Sequence, residues 1–383
     1  MAHIKKICIV ATVPVALRAF MLEHVNKLAE THSVTLMANG TEADVAGMLG
    51  ENVRFLPLPI ERQVSLLSDV KSLIKLYQIF SKEKFDCVLS IMPKSGLLSM
   101  LAGFFARTPV RVHIFTGQVW FTKQGIARIG LKNLDRLLSF CATSLLADSP
   151  SQRAFLVSER VVSPSKISVL GQGSISGVDI ARFKPSAQLR QEIRETLGIP
   201  ESDVVFLFMA RLTHVKGVPE LGQAFRAVAS DLPDAHLLVV GPDEDGLDGR
   251  LAELMLPFGN RYHRIGYTQV PESYMAAADV FCIPSYREGF SLATIQAAGV
   301  GLPAIASRIY GLTDAVKEGV TGIFHRAGAV DELSAAILKL YSDEPMRNQM
   351  SKAAELRAHK DFSQAFIVQE MHLYITSLLS KVG

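Results

Sequence analysis

Several features that would point to particular functions are missing from this chain of 383 residues. No stretch reaches the roughly 18 consecutive apolar residues that a membrane-spanning helix needs. The four cysteines are widely separated and form no Cys-x-x-Cys pair, which argues against a zinc site or a disulfide framework. Each lies beside apolar residues, so the sequence predicts buried free thiols. These cysteines are Cys8, Cys87, Cys141 and Cys282.

Two common nucleotide-binding loops are also missing. Residues 11–17 (ATVPVAL) stand where a dinucleotide-binding protein would carry Gly-x-Gly-x-x-Gly, and the P-loop pattern does not occur. No basic run with interleaved aromatics is present, so no nucleic-acid partner is expected. Asp243, Glu244 and Asp245 form an acidic motif in a loop, where the acids are expected to be solvated. We therefore predict no metal site and no cofactor.

The positive charge of the chain is concentrated in its first half. Residues 1–175 contain 20 Lys and Arg against 12 Asp and Glu, whereas residues 176–383 contain 20 against 25. A basic half suits an anionic membrane surface or an anionic lipid-linked substrate. Arg128, Lys132 and Arg136 recur at four-residue spacing and would form one basic helical stripe. The alternative is a solvated surface with an incidental bias.

Strand-like and helical segments alternate along the chain in two series. Residues 169–186, rich in glycine and serine and without periodicity, separate the two series. Such alternation predicts an α/β protein with two doubly wound, Rossmann-like domains facing a cleft. The predicted domains are residues 1–175 and 176–360, and a C-terminal helix in residues 361–383 is expected to pack back on the first domain.

Two cations follow a buried strand of the second half. Residues 210–217 (ARLTHVKG) come directly after an apolar run and contain Arg211 and Lys216. An arginine can fork onto phosphate oxygens while a lysine acts as a point charge, so the pair suits a diphosphate. A helix opening near Pro219 would add backbone N–H donors. The alternative for two loop cations is ordinary solvated surface.

A second candidate cluster begins at Glu288, whose carboxylate suits the hydroxyl groups of a sugar. Backbone N–H groups of the next three residues would face a ligand at the start of a helix predicted over residues 290–298. Gln296 would lie about two turns later, near the same face. The alternative is an acid that merely favours the helix dipole. The three residues after Glu288 are Gly289, Phe290 and Ser291.

In this order, these stretches resemble the retaining glycosyltransferases of family 4, which have the GT-B fold of two Rossmann-like domains. The resemblance covers most of the second half and extends more loosely into the first, through residues 145–152 (LLADSPSQ). Within the family, the chain looks most like bacterial enzymes that extend lipid-linked surface-polysaccharide or glycan intermediates. The matching stretches are residues 177–185, 210–217, 240–246, 286–307 and 310–324.

The resemblance implies a UDP-sugar donor on the second domain and a lipid-linked or oligosaccharide acceptor on the first. Arg211 and Lys216 would hold the donor diphosphate, and Glu288 would bind the transferred sugar. The three residues after Glu288 would approach the donor through their backbone. Arg264 and Tyr267 bracket the segment that would contact the nucleobase.

Two positions depart from the family pattern. Gln296 stands where a second acid normally binds the ribose hydroxyls, although an amide can accept from one hydroxyl and donate to its neighbour. Thr116, before Gly117, stands where a histidine is frequent, and His113 lies three residues earlier. Residues three apart in a strand point to opposite faces, so His113 is interpreted as a core or surface residue. His113 is nevertheless kept with Thr116, Gly117, Val13 and Pro14 among the predicted active-site loop residues of the first domain.

The expected activity is transfer of a hexose or N-acetylhexosamine by a cytoplasmic enzyme at the inner face of the cytoplasmic membrane. In this class the leaving phosphate is thought to take the acceptor proton, so the protein supplies positioning and electrostatic stabilisation. Two alternatives stay open. A hydrolysing UDP-sugar epimerase shares the fold, and a non-catalytic scaffold of a polysaccharide assembly would suit the departures at Gln296 and Thr116.

Overall fold

The computed structural model describes residues 4–61, 63 and 65–382, so the predicted domain ends at residues 1–3 and 383 lie outside the described residues. The strands in chain order are β1 (Lys6–Val10), β2 (Ser33–Ala38), β3 (Val53–Pro57), β4 (Cys87–Ile91), β5 (Val110–Phe115), β6 (Ser144–Ala147), β7 (Ile167–Val169), β8 (Val204–Met209), β9 (Ala235–Val240), β10 (Tyr262–Ile265), β11 (Val280–Ile283), β12 (Ala304–Ser307) and β13 (Gly322–His325).

The α-helices come between and after these strands. In chain order they are α1 (Pro14–Ala29), α2 (Leu66–Glu83), α3 (Pro93–Phe105), α4 (Gly125–Cys141), α5 (Pro150–Ser158), α6 (Ala187–Leu197), α7 (Val218–Ala227), α8 (Asp248–Leu254), α9 (Pro271–Ala276), α10 (Leu292–Gly299), α11 (Leu312–Ala315), α12 (Val330–Ser342), α13 (Glu344–Asp361) and α14 (Gln364–Ser380). Contacts divide the chain into two compact units, Met1–Ser176 with Ala365–Gly383, and Gly177–Gln364.

The first unit is built on a parallel sheet with the strand order β3-β2-β1-β4-β5-β6-β7. Alternate residues of β1 serve two cores, because successive side chains of a strand point to opposite faces. Ile7 and Ile9 pack in the core that includes α1 and α14. Cys8 and Val10 pack in the core that includes α2, α3 and α4. Helices therefore cover both faces of the sheet, as a parallel sheet requires.

The C-terminal helix α14 packs in the core of the first unit. Its buried residues recur every four positions and share a core with α1; they are Ile367, Met371, Ile375 and Leu379. The predicted C-terminal segment began at residue 361, whereas residues 361–364 belong to the second unit. The reason is that Phe362 is buried in the second unit's core and the Gln364 N–H donates to the Val178 carbonyl at 2.8 Å.

The second unit has a parallel sheet with the strand order β10-β9-β8-β11-β12-β13. All residues of β8, β9, β11 and β12 are buried, which explains their nearly continuous apolar sequences. Because β8 and β11 are neighbouring parallel strands, the loops that follow them leave the sheet at the same edge. This edge receives both predicted donor-binding motifs.

The prediction of two parallel α/β units is confirmed. Helix α10 begins at Leu292 and not at residue 290, because Ser291 is its N-cap and accepts a hydrogen bond from the Thr294 N–H. The four cysteines are buried and free, as predicted. Across the described part of the chain, no helix combines the length and the apolar character that crossing a membrane requires.

Candidate active site

The loops after β8 and β11 are fastened to each other. Gly217 has φ of +72° and passes so close to Pro284 that a Cβ atom would lie 2.1 Å from the Pro284 carbonyl oxygen. The Tyr286 N–H donates to the Val215 carbonyl at 2.9 Å, and its hydroxyl donates to Glu220 at 2.9 Å. Only glycine fits at position 217, and this close approach brings the two motifs together.

Lys216 and Glu288 form a largely buried ion pair. The Lys216 Nζ lies 2.6 Å from Oε1 of Glu288, and the side chains are 18% and 9% exposed. The Ser285 hydroxyl donates to the same carboxylate oxygen at 2.8 Å. Within the described residues, Oε2 of Glu288 receives no hydrogen bond and is not sealed from solvent. One oxygen therefore anchors the acid, and the other can accept from a ligand hydroxyl.

Two arginines carry further positive charge near this pair. Arg211 is half exposed, and its guanidinium lies 2.5 Å from a Glu244 carboxylate oxygen. Arg287 makes no hydrogen bond or ion pair with any residue that the structure describes. Burial lowers the pKa of Arg287. The phenol of Tyr310 and the carboxylate of Glu288 raise this pKa, and the nearby charge of Arg211 lowers it further. Two cations that repel each other favour an anion between them.

Arg287 was missed by sequence reasoning although it adjoins Glu288. The sequence gives no sign that this side chain is withdrawn from solvent, because a loop arginine is usually solvated. Its half-buried side chain near Arg211 adds a third cation to the predicted pair.

The segment before α10 presents mainly backbone to its surroundings. The ring of Phe290 packs 5.4 Å from that of Phe362, and Ser291 is buried as the helix cap. Gly311 has φ of +83°, and a Cβ there would lie 2.4 Å from the Gly289 carbonyl oxygen. Gln296, on α10, is half buried, and its amide makes no hydrogen bond within the described residues. The side chain of Phe290 therefore packs against the core of the second unit, and a contact from this residue to a ligand would use its backbone.

Arg264 and Tyr267 differ from each other in their surroundings. The Arg264 guanidinium donates to Asp248 at 2.6 Å and to the carbonyl of Ile265, so its side chain is committed within the unit. Tyr267 is 72% exposed. Strand β10 is separated from β8 by β9, so the structure does not bring Arg264 into the Lys216–Glu288 cluster. A nucleobase contact from this segment would use its backbone or Tyr267.

The acidic motif of residues 243–245 is occupied by local contacts. Asp243 accepts hydrogen bonds from the Leu247 and Asp248 N–H groups, each at 3.0 Å. Asp245 accepts from the His214 N–H at 2.8 Å, and Glu244 pairs with Arg211. These acids therefore organise the loops after β8 and β9.

The predicted active-site loops of the first unit leave one edge of its sheet. Val13 is the N-cap of α1 and Pro14 its first residue, directly after β1. Thr116 and Gly117 follow β5, which is separated from β1 by β4. The Thr116 carbonyl accepts from the side-chain amides of Gln118 at 2.9 Å and Gln152 at 2.8 Å. These two amides hold the Thr116 backbone in place.

His113 does not belong to these loops and is corrected to a core residue. Its side chain is 1% exposed, and its Nδ1 lies 3.0 Å from the Ser90 hydroxyl. A Cβ on Gly96 of α3 would lie 2.3 Å from the imidazole, so the ring fills the space beneath that helix. Burial lowers the pKa of His113 to about 3, and the ring is neutral near pH 7.

Comparison with protein families identifies both units. Residues 190–357 match the model of glycosyl transferases group 1, and residues 17–173 match the glycosyl transferase 4-like domain. The two matches lie in the second and the first unit, respectively.

Individual relatives match over most of the chain. This chain is 30% identical over 330 residues to the capsular polysaccharide biosynthesis glycosyltransferase CapM of Staphylococcus aureus. The match covers 85% of this chain and 86% of the relative. This chain is also 29% identical over 339 residues to the UDP-Gal:alpha-D-GlcNAc-diphosphoundecaprenol alpha-1,3-galactosyltransferase of Escherichia coli. That match covers 87% of this chain and 86% of the relative.

Solved structures agree with the fold. HepE of Anabaena, crystallised with UDP and glucose, has a TM-score of 0.81 at 19% identity and covers 98% of this chain and 100% of its own. The described fold, the two family matches and the CapM similarity lead to one conclusion. This chain is a glycosyltransferase that belongs to the group 1 glycosyl transferases, family 4 of the GT-B class.

Proposed function

We infer that the chain transfers a hexose or N-acetylhexosamine from a UDP-sugar to a lipid-linked or oligosaccharide acceptor, with retention of the anomeric configuration. The observation that carries this proposal is the cluster of Lys216, Glu288, Arg211 and Arg287 beside the N-terminus of α10. Three cations and the carboxylate of Glu288 suit a ligand that joins a diphosphate to a polyhydroxyl ring. In this proposal the three cations, and not a metal ion, stabilise the charge of the departing diphosphate.

In the proposed reaction, the bond between the sugar C1 and the diphosphate oxygen breaks. The acceptor hydroxyl oxygen bonds to C1 on the same face, and its proton passes to the departing phosphate oxygen. Lys216, Arg211 and Arg287 stabilise the negative charge that develops on the diphosphate. Glu288 holds the sugar through its Oε2, while Lys216 and Ser285 fix the other oxygen. No protein base is required, so the proposal is compatible with Thr116 in the predicted active-site loop.

The comparisons support the substrates of this proposal. The Escherichia coli relative is named for a UDP-galactose donor and a diphosphoundecaprenol acceptor, and HepE was crystallised with UDP and glucose. Bacterial polysaccharide synthesis also fits the name of the Staphylococcus aureus relative. For a lipid-linked acceptor, the enzyme would act as a peripheral protein on the inner face of the cytoplasmic membrane.

A donor screen tests the proposal. The purified chain is incubated with each of UDP-glucose, UDP-galactose, UDP-GlcNAc and UDP-GalNAc and with a short-chain lipid-diphosphate sugar, and the product is analysed by mass spectrometry and NMR. One donor should give a glycosylated acceptor with the donor's anomeric configuration. Release of UDP without a new glycosidic bond, or an inverted product, contradicts the proposal. Release of UDP together with an epimerised free sugar would indicate a hydrolysing epimerase, and UDP binding without turnover would indicate a scaffold.

A further inference from the structure

The helical layer α2–α4 of the first unit carries a large exposed apolar surface. On α2 the exposed apolar side chains recur at intervals that place them on one side of the helix. Leu66 and Leu67 are 80% and 81% exposed. An exposed stripe of this size marks an interaction surface. Its members are Leu66, Leu67, Val70, Ile74 and Tyr77.

Helix α4 carries a matching stripe, and α3 lies between the two because it packs against both α2 and α4. Ile126 is 89% exposed, and Ile129, Leu137 and Phe140 follow on the same side of α4. The end of α3 continues the stripe, since the Phe104 ring lies 5.8 Å from Phe140 and 5.6 Å from Phe105. We call these residues, together with the five of α2, the apolar face.

The charges around the apolar face are mostly positive. Residues 65–143 contain eleven Lys and Arg against four Asp and Glu, a net charge of +7. The acids of these helices are engaged by protein groups: Asp69 by Lys94, Glu83 by Arg54, and Asp135 by the Trp120 indole. Eight of the eleven cations form no ion pair with the residues that the structure describes. They are Lys71, Lys75, Lys82, Lys84, Arg107, Arg111, Lys123 and Arg136.

The basic stripe expected from the sequence is not part of this surface charge. Arg128 and Lys132 pair with Glu159 at 3.0 and 2.5 Å and lie over the Trp120 ring. Arg136 donates to the carbonyls of Glu159 and Arg160. These cations fasten α4 to the segment after α5. The cations that an anionic surface would meet are therefore the lysines of α2 and Lys123.

The apolar face is placed next to the predicted acceptor loops. Helices α2 and α4 follow β3 and β5, so their first residues lie at the carboxyl edge of the sheet. Leu66, Leu67 and Ile126 begin these helices, and Val13 and Thr116 leave the sheet at the same edge. A partner bound to the apolar face at this edge would therefore lie next to the predicted acceptor loops.

We propose that the apolar face docks the chain on an anionic lipid bilayer. The apolar side chains enter the boundary between headgroups and acyl chains, and Lys71, Lys75 and Lys123 meet the anionic headgroups. Apolar stripes flanked by unpaired lysines are the pattern of an interfacial membrane contact. The docking extends the proposed function, because it would present the acceptor loops to a lipid-linked substrate.

Flotation with vesicles tests the docking. The full chain is mixed with vesicles of phosphatidylcholine alone or with added phosphatidylglycerol. It should float with the anionic vesicles, and added salt should weaken the binding. Lys71→Gln/Lys75→Gln should weaken binding about 25-fold, since each surface cation contributes about fivefold. Ile126→Ser/Ile129→Ser should weaken it at least tenfold, through the loss of two buried apolar side chains.

Matched controls lie in the second unit, where Leu356 is 71% exposed and Lys352 is also exposed. Leu356→Ser and Lys352→Gln should bind vesicles like the unchanged chain, and circular dichroism should be the same for all variants. Absence of vesicle binding, or equal binding by the face variants, overturns the proposal. So does a dimer in light scattering that Ile126→Ser/Ile129→Ser converts to monomer, because a second copy would then cover the face.

The vesicle assay needs neither donor nor acceptor, so it separates docking from transfer. A chain that floats with vesicles but transfers no sugar contradicts the proposed function alone. A chain that glycosylates a short-chain acceptor without binding vesicles contradicts the docking alone.

Discussion

The Nζ of Lys216 lies 2.6 Å from Oε1 of Glu288, although the two residues are 72 positions apart in the chain. The pair joins the loop after β8 to the segment before α10, and Gly217 and Pro284 bring the loops close enough for it to form. The predicted diphosphate-binding and sugar-binding groups are therefore held in one geometry before a ligand arrives.

Lys216→Ala should lower kcat at least about a hundredfold, because it removes a charge contact to the leaving diphosphate. The same loss is expected of Arg211→Ala. Initial rates of UDP release with saturating donor and acceptor measure the effect. Lys184→Ala removes an exposed cation of the same unit and should retain normal rates. Near-normal kinetics in both Lys216→Ala and Arg211→Ala would contradict the assignment of these two residues to the donor diphosphate.

Arg287→Ala should raise the KM for the UDP-sugar about tenfold, since it deletes one charge-assisted contact to an anionic ligand. Arg287→Lys should retain part of the affinity, because the charge remains while the fork is lost. Inhibition by UDP, measured at low and moderate salt, provides the check. Arg226→Ala, on the neighbouring helix α7, serves as the control. If UDP binds both Arg287 variants as tightly as it binds the unchanged chain, Arg287 has no role in donor binding.

The two sheets were predictable because their strands are buried apolar runs that alternate with helices. The helix α6 was not predicted, although Ser186 caps its start and Gly198 ends it with φ of +66°. It follows directly on the glycine- and serine-rich connection, and its sequence is mostly polar. The sequence predicts the start of α10 two residues early, at residue 290. Phe290 packs against Phe362 before the helix cap Ser291.

The candidate site was predictable as far as strand order allows. Lys216 and Glu288 were expected at one edge because parallel strands bring their carboxyl ends together, and β8 does adjoin β11. The partners of the predicted residues depend on packing, which the sequence does not encode locally. The pairing of Arg264 with Asp248 and the partial burial of Arg287 both depend on packing in this way.

Gln296→Glu should tighten UDP binding about fivefold if the α10 side chain reaches the ribose. A carboxylate accepts charge-assisted hydrogen bonds from both hydroxyls, which are stronger than the neutral bonds of an amide. Isothermal titration with UDP measures the change, and 2′-deoxy-UDP should lose the gain. Equal affinities of both proteins for UDP would place the ribose away from Gln296.

His113→Asn should change the pH dependence of stability and leave that of catalysis unchanged. The folded chain holds His113 at a pKa of about 3, whereas an unfolded histidine titrates near 6.5. Between these values the unfolded state binds the extra proton, so the unchanged chain loses stability as the pH falls below about 6.5. Asparagine binds no proton at these pH values, so this loss is absent from the variant.

From pH 7 to pH 5, the difference in unfolding free energy between the variant and the unchanged chain should therefore shift by about 2 kcal/mol in favour of the variant. Taking the difference cancels the other histidines, including His24, whose pKa burial lowers to about 4. Urea denaturation at both pH values gives the shift, and the pH profile of kcat should stay the same. A displaced profile would instead mean that His113 takes part in the reaction and that its buried position is not the one used in turnover.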